Sequence, residues 1–203
     1  MTTSDKILKV AIELMASKGY KGATTKLIAE KANVSEMTVF RQFKTKRKIL
    51  EEAIDRYYYT IQFKELFKER IVYDLEKDLM MVAKLYHKLM KNNKNVIKIA
   101  IQEGNNVKGL LDQVNKHPRQ LKELLVQYFN EMRDKNLIIE DDYEAKAMNF
   151  LYLHYGIFIS RSFVAGEEVT AETITSLPEE ALIKDSVQVL VNQLSPTYSK
   201  QLN

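Results

Sequence analysis

The chain has 203 residues, of which 45% are hydrophobic, enough to form a buried core in one or two small domains. It contains no cysteine, which excludes disulfide bonds, thiolate catalysis and cysteine-based zinc sites. Eleven Lys and Arg against four Asp and Glu give residues 1–50 a net charge of +7, whereas residues 51–203 carry −3. This asymmetry favours a phosphate-facing domain on a neutral-to-acidic body over a merely solvated basic face.

Neither a signal peptide nor a membrane-spanning helix is predicted. The chain begins with no apolar run, since Met1 is followed by four polar residues, and the longest uncharged run in the most apolar region covers only residues 147–160, including Asn149 and His154. A helix that crosses a bilayer needs about 20 predominantly apolar residues. We therefore expect a soluble, cytoplasmic protein that does not bind membranes.

Three helices are predicted within residues 1–47. The first runs from about Asp5 to Lys18, and Thr3 or Ser4 is expected to be its N-cap. Gly19 stands where a left-handed residue commonly ends a helix. The second helix begins at the threonine pair 24–25, because either hydroxyl can cap it.

A tight turn between the second and third helices is the most informative local feature. Asn33 stands where the turn requires a left-handed residue, and asparagine tolerates that conformation better than most residues do. Val34 plugs the inside of the turn, and Ser35 is a strong N-cap for a third helix over about Glu36–Gln42. This order of residues is typical of a helix-turn-helix that reads DNA.

The third helix is predicted to bury Val39 and Phe43 and to turn its other side outward. Arginine can pair with guanine, glutamine with adenine and glutamate with the cytosine amino group, while methionine or threonine can contact the thymine methyl. At least two of the outward residues are expected to touch base edges. The predicted reading face consists of Glu36, Met37, Thr38, Arg41 and Gln42.

The remaining sequence keeps a helical pattern and brings the total to about nine helices. The fourth starts in the basic cluster 44–48, whose cations can reach phosphates, and continues to about Glu69. The seventh is predicted to begin at Pro118, the eighth to cover Tyr143–Val164, and the ninth to begin at Pro178. The sequence therefore predicts an all-α protein.

The segment Ile7–Leu50 resembles the TetR family of transcriptional regulators. The likeness departs from the family pattern at Asn33, where the family usually has glycine, and at Phe40, where it often has a tyrosine whose hydroxyl contacts a phosphate. The residues that carry the resemblance are Gly19–Tyr20, Thr24–Thr25, Ile28–Ala29, Val34–Ser35, Thr38, Phe40, Phe43 and Lys46.

This resemblance implies a homodimer, often a repressor, that binds palindromic double-stranded DNA and is released by a small molecule. It implies a helix-turn-helix DNA-binding domain at residues 1–47 and a helical bundle for ligand binding and dimerisation at residues 48–203. It also makes Thr25 and Lys26 expected contacts to the DNA backbone, and it places Lys46 at the family's phosphate-binding position. For Thr25 and Lys26, capping and solvation are the alternative interpretation.

Large, adaptable side chains in the C-terminal region are candidates for an effector pocket, although such residues are more often ordinary core. They suit an apolar or aromatic effector. Within the helices, His87, His154 and Arg161 could orient a polar group of the ligand, or the histidines could be structural. The candidate pocket residues are Tyr58, Phe63, Tyr86, Met90, Phe129, Met148, Tyr152 and Tyr155.

The eighth helix is apolar nearly all round, so one of its faces needs a partner, and we expect the eighth and ninth helices to form the dimer interface. The acidic run 140–142 fits a helix N-terminus better than a metal site. We expect no catalytic residues, no metal and no cofactor. The alternative to an operator-binding regulator is a helical protein-interaction module, which Glu36 on the reading face and Phe40 would suit.

Overall fold

The computed structural model describes residues 1–57, 63–164 and 176–196, and within these ranges every regular element is helical, which confirms the all-α prediction. A π-helical turn over Ser160–Val164 directly follows the α-helix Tyr143–Ile159. In the described ranges, no helix is long and apolar enough to cross a membrane. The α-helices are α1 (Thr3–Gly22), α2 (Thr25–Lys31), α3 (Glu36–Phe43), α4 (Lys46–Tyr57), α5 (Phe63–Arg70), α6 (Leu75–Asn92), α7 (Lys94–Glu103), α8 (Leu110–Asp134), α9 (Tyr143–Ile159) and α10 (Glu179–Leu194).

The described residues fall into two compact units. The first lies within Met1–Thr60 and Asn92–Lys116, and the second lies within Ile61–Lys91 and His117–Asn203. The sequence predicts that the DNA-binding domain ends at residue 47. The two units are defined by compactness and do not test this functional boundary, so it stays a prediction.

The first helix begins earlier than the sequence pattern suggested. Thr2, rather than Thr3 or Ser4, is the N-cap of α1, since its hydroxyl accepts from the Asp5 N–H at 3.1 Å and its own N–H donates to the Asp5 carboxylate at 2.8 Å. This reciprocal capping box satisfies two backbone donors that would otherwise be unpaired. As predicted, Gly19 adopts a left-handed φ of 74°, which kinks the chain near the end of α1.

The core of the first unit is built by the apolar stripes of its helices. In α1, residues one helical turn apart point to one side, and this side packs against α4 and α7. Fully burying one such side chain stabilises the fold by about 1.5–3 kcal/mol. The buried residues include Ile7, Leu8, Ala11 and Met15 of α1, Ile28 of α2, Val39 and Phe43 of α3, Ile49, Leu50 and Ile54 of α4, and Ile99 and Ala100 of α7.

The prediction that a helix begins at Pro118 was wrong. Pro118 lies inside α8, which begins at Leu110. Within a helix, proline removes one N–H bond and clashes with the preceding turn, at a cost of about 3 kcal/mol or more. Burial of apolar residues on both sides of the proline, such as Val114 and Leu121, favours the continuous helix despite this cost.

The second unit contains α5, most of α6, the later turns of α8, and α9 and α10. Asp142 caps α9 by accepting from the Ala145 N–H at 3.0 Å, which confirms that the acidic run 140–142 belongs to a helix start. Helix α9 packs against α10, and Pro178 is the residue that precedes α10. The predicted fourth helix corresponds to α4 and α5, and residues 58–62 between them lie outside the described range.

Candidate DNA interface

The turn between α2 and α3 has the geometry that the sequence predicted. The Thr24 hydroxyl caps α2 by accepting from the Leu27 N–H at 3.1 Å. Asn33 adopts a left-handed φ of 55°, and the Val34 N–H closes the turn on the Ala29 carbonyl at 3.0 Å. These bonds satisfy polar backbone groups at the helix ends, so the angle between the two helices is fixed by local chemistry.

Helix α3 buries one side and exposes the other. Ser35 caps it by accepting from the Thr38 N–H at 3.1 Å, while Val39 and Phe43 are buried in the core. Met37 is 73% exposed and Phe40 is 58% exposed. The remaining residues of the predicted reading face are exposed or half-buried, so they lie on the solvent side of α3: Glu36, Thr38, Arg41 and Gln42.

Two of the predicted DNA contacts bind each other. The Thr25 hydroxyl at the start of α2 donates a hydrogen bond of 3.0 Å to Glu36 Oε1 at the start of α3. Because a hydroxyl has one proton, this bond occupies the group that Thr25 would use on a phosphate. The second carboxylate oxygen of Glu36 keeps its acceptor capacity for a base amino group.

Lys46, the first residue of α4, directs its ammonium towards the end of α1. Its Nζ donates to the Tyr20 carbonyl at 2.6 Å and to the Lys21 carbonyl at 3.4 Å. The same nitrogen lies 4.4 Å from the centroid of the Tyr20 ring, a cation–π distance. Burial lowers the pKa of Lys46, and the nearby Glu103 carboxylate partly opposes this effect.

The neighbouring cations have different surroundings. Lys44 caps the end of α3 with a left-handed φ of 64°, and its ammonium lies 5.5 Å from the Phe40 ring centroid. Arg47 pairs with Glu51 at 2.8 Å. Lys26 is exposed on α2. Lys26, Lys44 and Lys48 are therefore all exposed, whereas Lys46 is half-buried.

A concavity of about 370 Å³ lies beside the reading face. Its walls combine buried core residues of α3 and α4 with the exposed side chains of Met37, Phe40 and Lys44. The Thr25–Glu36 pair lies at the same concavity. The concavity therefore places an apolar surface next to the polar and cationic groups of the reading face.

The predicted effector-pocket residues have unequal burial. Tyr58 lies outside the described residues. Met148 and Tyr155 are half-buried, and burial raises the pKa of Tyr155. Tyr152 is 65% exposed, so in a single chain its ring faces solvent. Four of the candidates are buried in the second unit: Phe63, Tyr86, Met90 and Phe129.

A buried polar chain crosses the second unit, and the sequence did not predict it. His87 of α6 and His154 of α9 bond each other, Nε2 to Nδ1, at 3.1 Å. His87 Nδ1 lies 2.9 Å from Glu179 Oε1, and Lys91 pairs with the other Glu179 oxygen at 2.8 Å. Ser186 Oγ lies 3.4 Å from His154 Nε2. From the sequence, both histidines are candidates for orienting a ligand or for a structural role, but helical spacing alone does not show that they bond each other.

Comparison with known proteins shows the family. Residues 7–53 match the family model TetR_N, for bacterial regulatory proteins of the tetR family. The chain is also 31% identical over 193 residues to YvkB, an uncharacterized HTH-type transcriptional regulator of Bacillus subtilis (strain 168). That match covers 95% of this chain and 97% of YvkB. The chain belongs to the TetR family.

As a TetR-family transcriptional regulator, the chain is similar to solved structures along most of its length. A proposed transcriptional regulator from Saccharomonospora viridis, in complex with choline, gives a TM-score of 0.71 at 17% identity and covers 95% of this chain and 97% of its own. NalD, the secondary repressor of the MexAB-OprM multidrug efflux pump in Pseudomonas aeruginosa, gives 0.69 at 16% identity and covers 96% of each chain. At these identities the likeness shows the fold alone.

Proposed function

We propose that this TetR-family regulator is a homodimeric, cytoplasmic repressor that binds palindromic operator DNA and is released by a small apolar or aromatic effector. The observation that carries the DNA part of the proposal is the exposed side of α3, which a capped and closed turn holds in place. The positive charge of residues 1–50 supports it, because phosphates supply much of the affinity of such proteins for DNA.

The base contacts are assigned to α3. A recognition helix lies in the major groove, where its exposed side chains can contact base edges. Arg41 suits guanine and Gln42 suits adenine, whereas Met37 and Thr38 suit the thymine methyl. Glu36, oriented by the Thr25 hydroxyl, suits an amino group of cytosine.

Dimerisation is assigned to α9 and α10. Tyr152 and Leu153 of α9 are 65% and 49% exposed, and Val189 of α10 is 47% exposed. Exposed apolar side chains on two neighbouring helices favour a second copy as the partner, since two helices from each subunit make a four-helix bundle. A dimer also brings two reading helices to half-sites about one DNA turn apart.

The effector is assigned to the second unit, where the predicted pocket residues Phe63, Tyr86, Met90 and Phe129 are found. Aromatic and methionine side chains suit apolar or aromatic ligands. Because aromatic rings also bind quaternary ammonium groups, choline is a sensible member of a first ligand panel. An effector can shift DNA binding only by its differential affinity for the two states, typically about 1–3 kcal/mol.

Selection from random duplex DNA tests this proposal. Purified protein at moderate salt is expected to enrich a palindrome of roughly 15–25 base pairs, the size of two half-sites. The enriched duplex then serves as the probe for effectors, scored by release. Failure of a folded, dimeric sample to enrich any motif would contradict operator binding by the ligand-free protein and would favour a protein-interaction module.

A further inference from the structure

Lys44 ends α3 in a backbone conformation that lysine seldom adopts. Its φ is 64° and its ψ is −46°, within the region of positive φ that favours glycine. Two of the other described positions with positive φ hold Asn33 and Asn136, and asparagine tolerates this conformation better than most residues do. Glycine or asparagine would end α3 at a lower cost, so the lysine indicates that its side chain has a use of its own.

The side chain of Lys44 lies against Phe40, one turn earlier on α3. The Lys44 N–H donates to the Phe40 carbonyl at 2.9 Å, and the Lys44 ammonium lies 5.5 Å from the centroid of the Phe40 ring. A cation within about 6 Å of a ring centroid is attracted to the face of the ring. Because the Phe40 ring is itself 58% exposed, it holds the ammonium at the surface of α3 without burying it.

The charge of Lys44 is available to a partner outside the protein. Within the described ranges, no ion pair involves Lys44, whereas Arg47 and Lys48 lie 2.8 Å and 3.9 Å from the Glu51 carboxylate. Lys44 and Phe40 also border the concavity beside the reading face. An exposed cation next to a recognition helix is suited to a phosphate of the DNA backbone.

We propose that Phe40 and Lys44 form a phosphate clamp, in which the exposed ring holds the Lys44 ammonium in position for a phosphate of the DNA backbone. Lys44 makes the contact, and Phe40 is a positioning residue that acts through it. This inference rests on the proposed DNA-binding function and adds a further cation to it. The clamp uses a charge where the family resemblance would place a tyrosine hydroxyl, which Phe40 lacks, and it leaves the role of Lys46 unchanged.

Lys44→Gly separates DNA binding from stability. Glycine adopts positive φ without strain, so this variant is expected to unfold at the wild-type temperature or slightly above it. It is also expected to weaken binding to the enriched palindrome at least tenfold, the scale of one charge-assisted hydrogen bond. Weaker binding by a protein that is no less stable cannot come from a loss of fold. Wild-type affinity in Lys44→Gly would overturn the proposal.

The salt dependence of binding tests whether Lys44 contacts a phosphate. Each phosphate contact that is lost lowers the slope of log K against log salt by about 0.9, or about 1.8 for a homodimer that loses one per subunit. Lys44→Gln removes the charge, keeps a long side chain and is expected to give this decrease. Lys88→Gln is the matched control, because Lys88 is an exposed lysine of the second unit. The control should keep the wild-type slope, and a wild-type slope in Lys44→Gln would overturn the clamp.

The role of the Phe40 ring is tested with and without the cation. Phe40→Leu removes the ring face, keeps an apolar side chain and is expected to weaken binding about two- to fivefold per subunit, the scale of an exposed cation–π contact. When Lys44→Gln is already present, Phe40→Leu is expected to have no further effect, because the ring then has no cation to hold. An equal loss in both backgrounds would show that Phe40 does not act through Lys44.

A duplex of scrambled sequence keeps this inference separate from the proposed function. Phosphate contacts carry no sequence information, so Lys44→Gln is expected to lower the salt slope on the scrambled duplex as well. If the wild type enriches no palindrome but binds the scrambled duplex, operator recognition fails and this slope decides the clamp. If the wild type binds the palindrome and Lys44→Gln keeps its slope, the clamp fails and operator recognition stands. A wild-type protein that binds neither duplex would overturn both.

Discussion

His87 of α6 and His154 of α9 share a buried hydrogen bond of 3.1 Å between Nε2 and Nδ1. Since the Glu179 carboxylate only accepts, His87 donates to it from Nδ1. Burial lowers the pKa of His87, which favours its neutral form, and in that form His87 Nε2 accepts the His154 Nδ1–H. Both imidazoles are neutral in this arrangement. Three helices of the second unit, α6, α9 and α10, are thereby linked through titratable side chains.

Protonation of this chain is expected to destabilise the protein at low pH. Burial, with the neighbouring His87 adding to it, lowers the pKa of His154 from 6.5 to about 3. Burial also lowers the pKa of His87, although Glu179 opposes the effect and Lys91 adds to it. For Glu179 itself, burial raises the pKa, but the contacts with Lys91 and His87 outweigh it and hold the pKa below its ordinary value.

The sign follows from the depressed folded-state pKa of His154. Its contribution to stability is complete above about pH 6.5, the unfolded value, and is lost as the pH falls from there towards 3. The loss between pH 7 and pH 5 is expected to be roughly 2 kcal/mol in the free energy of unfolding. Urea denaturation at the two pH values measures it, and His154→Leu is expected to reduce the difference. Equal pH dependence in wild type and variant would contradict the assignment.

The Thr25–Glu36 hydrogen bond is expected to influence base preference. Glu36→Gln replaces a pure acceptor with a side chain that also donates, so one position in each half-site should change its preference away from cytosine. Thr25→Val keeps the shape and removes the hydroxyl, and it is expected to reduce discrimination at the same position by up to about tenfold. Selection with each variant measures both effects. Motifs identical to the wild-type motif would show that Glu36 does not read a base.

Phe40→Tyr is expected to increase affinity for DNA. The Phe40 ring is 58% exposed on α3, so an added hydroxyl has room and can donate to a phosphate. The gain is expected to be about two- to tenfold, the scale of one neutral hydrogen bond, with the salt slope unchanged because no charge is added. Titration of the enriched duplex measures it. Unchanged or weaker binding would place the ring away from the phosphates.

Leu153→Glu is expected to separate the proposed dimer. The Leu153 side chain is 49% exposed on α9, so a single chain tolerates a carboxylate at this position. In the dimer interface the same carboxylate would be a buried, unpaired charge, which is unfavourable. Analytical ultracentrifugation is expected to give a monomer for this variant. Lys88→Glu on the exposed side of α6 is the control and should behave as the wild type does. A dimeric Leu153→Glu would assign dimerisation to another surface.

Local chemistry made the reading element predictable from the sequence. Asn33, Val34 and Ser35 act within a few residues of themselves, so their order alone indicates the turn and the helix start. Each of the three residues has the expected role in the structure. The inward direction of Val39 and Phe43 followed from helical period in the same way.

Long-range contacts were not predictable in this way. The Lys46 ammonium reaches a carbonyl 26 residues away, and His87 bonds a histidine 67 residues away. Neither pairing leaves a mark in local spacing. Pro118 illustrates the opposite failure, because its strong local preference for a helix start was outweighed by the burial of its neighbours.

The most direct test of the central claim is a parallel titration of three duplexes: the enriched palindrome, one isolated half-site and a scrambled sequence of equal length. We expect two protein chains to bind each palindrome, at least a hundredfold more tightly than the half-site, because the second contact becomes intramolecular. The scrambled duplex should bind weakly and lose binding steeply as salt is raised. Equal affinity for the palindrome and the scrambled duplex at physiological salt would contradict sequence-specific operator recognition by α3.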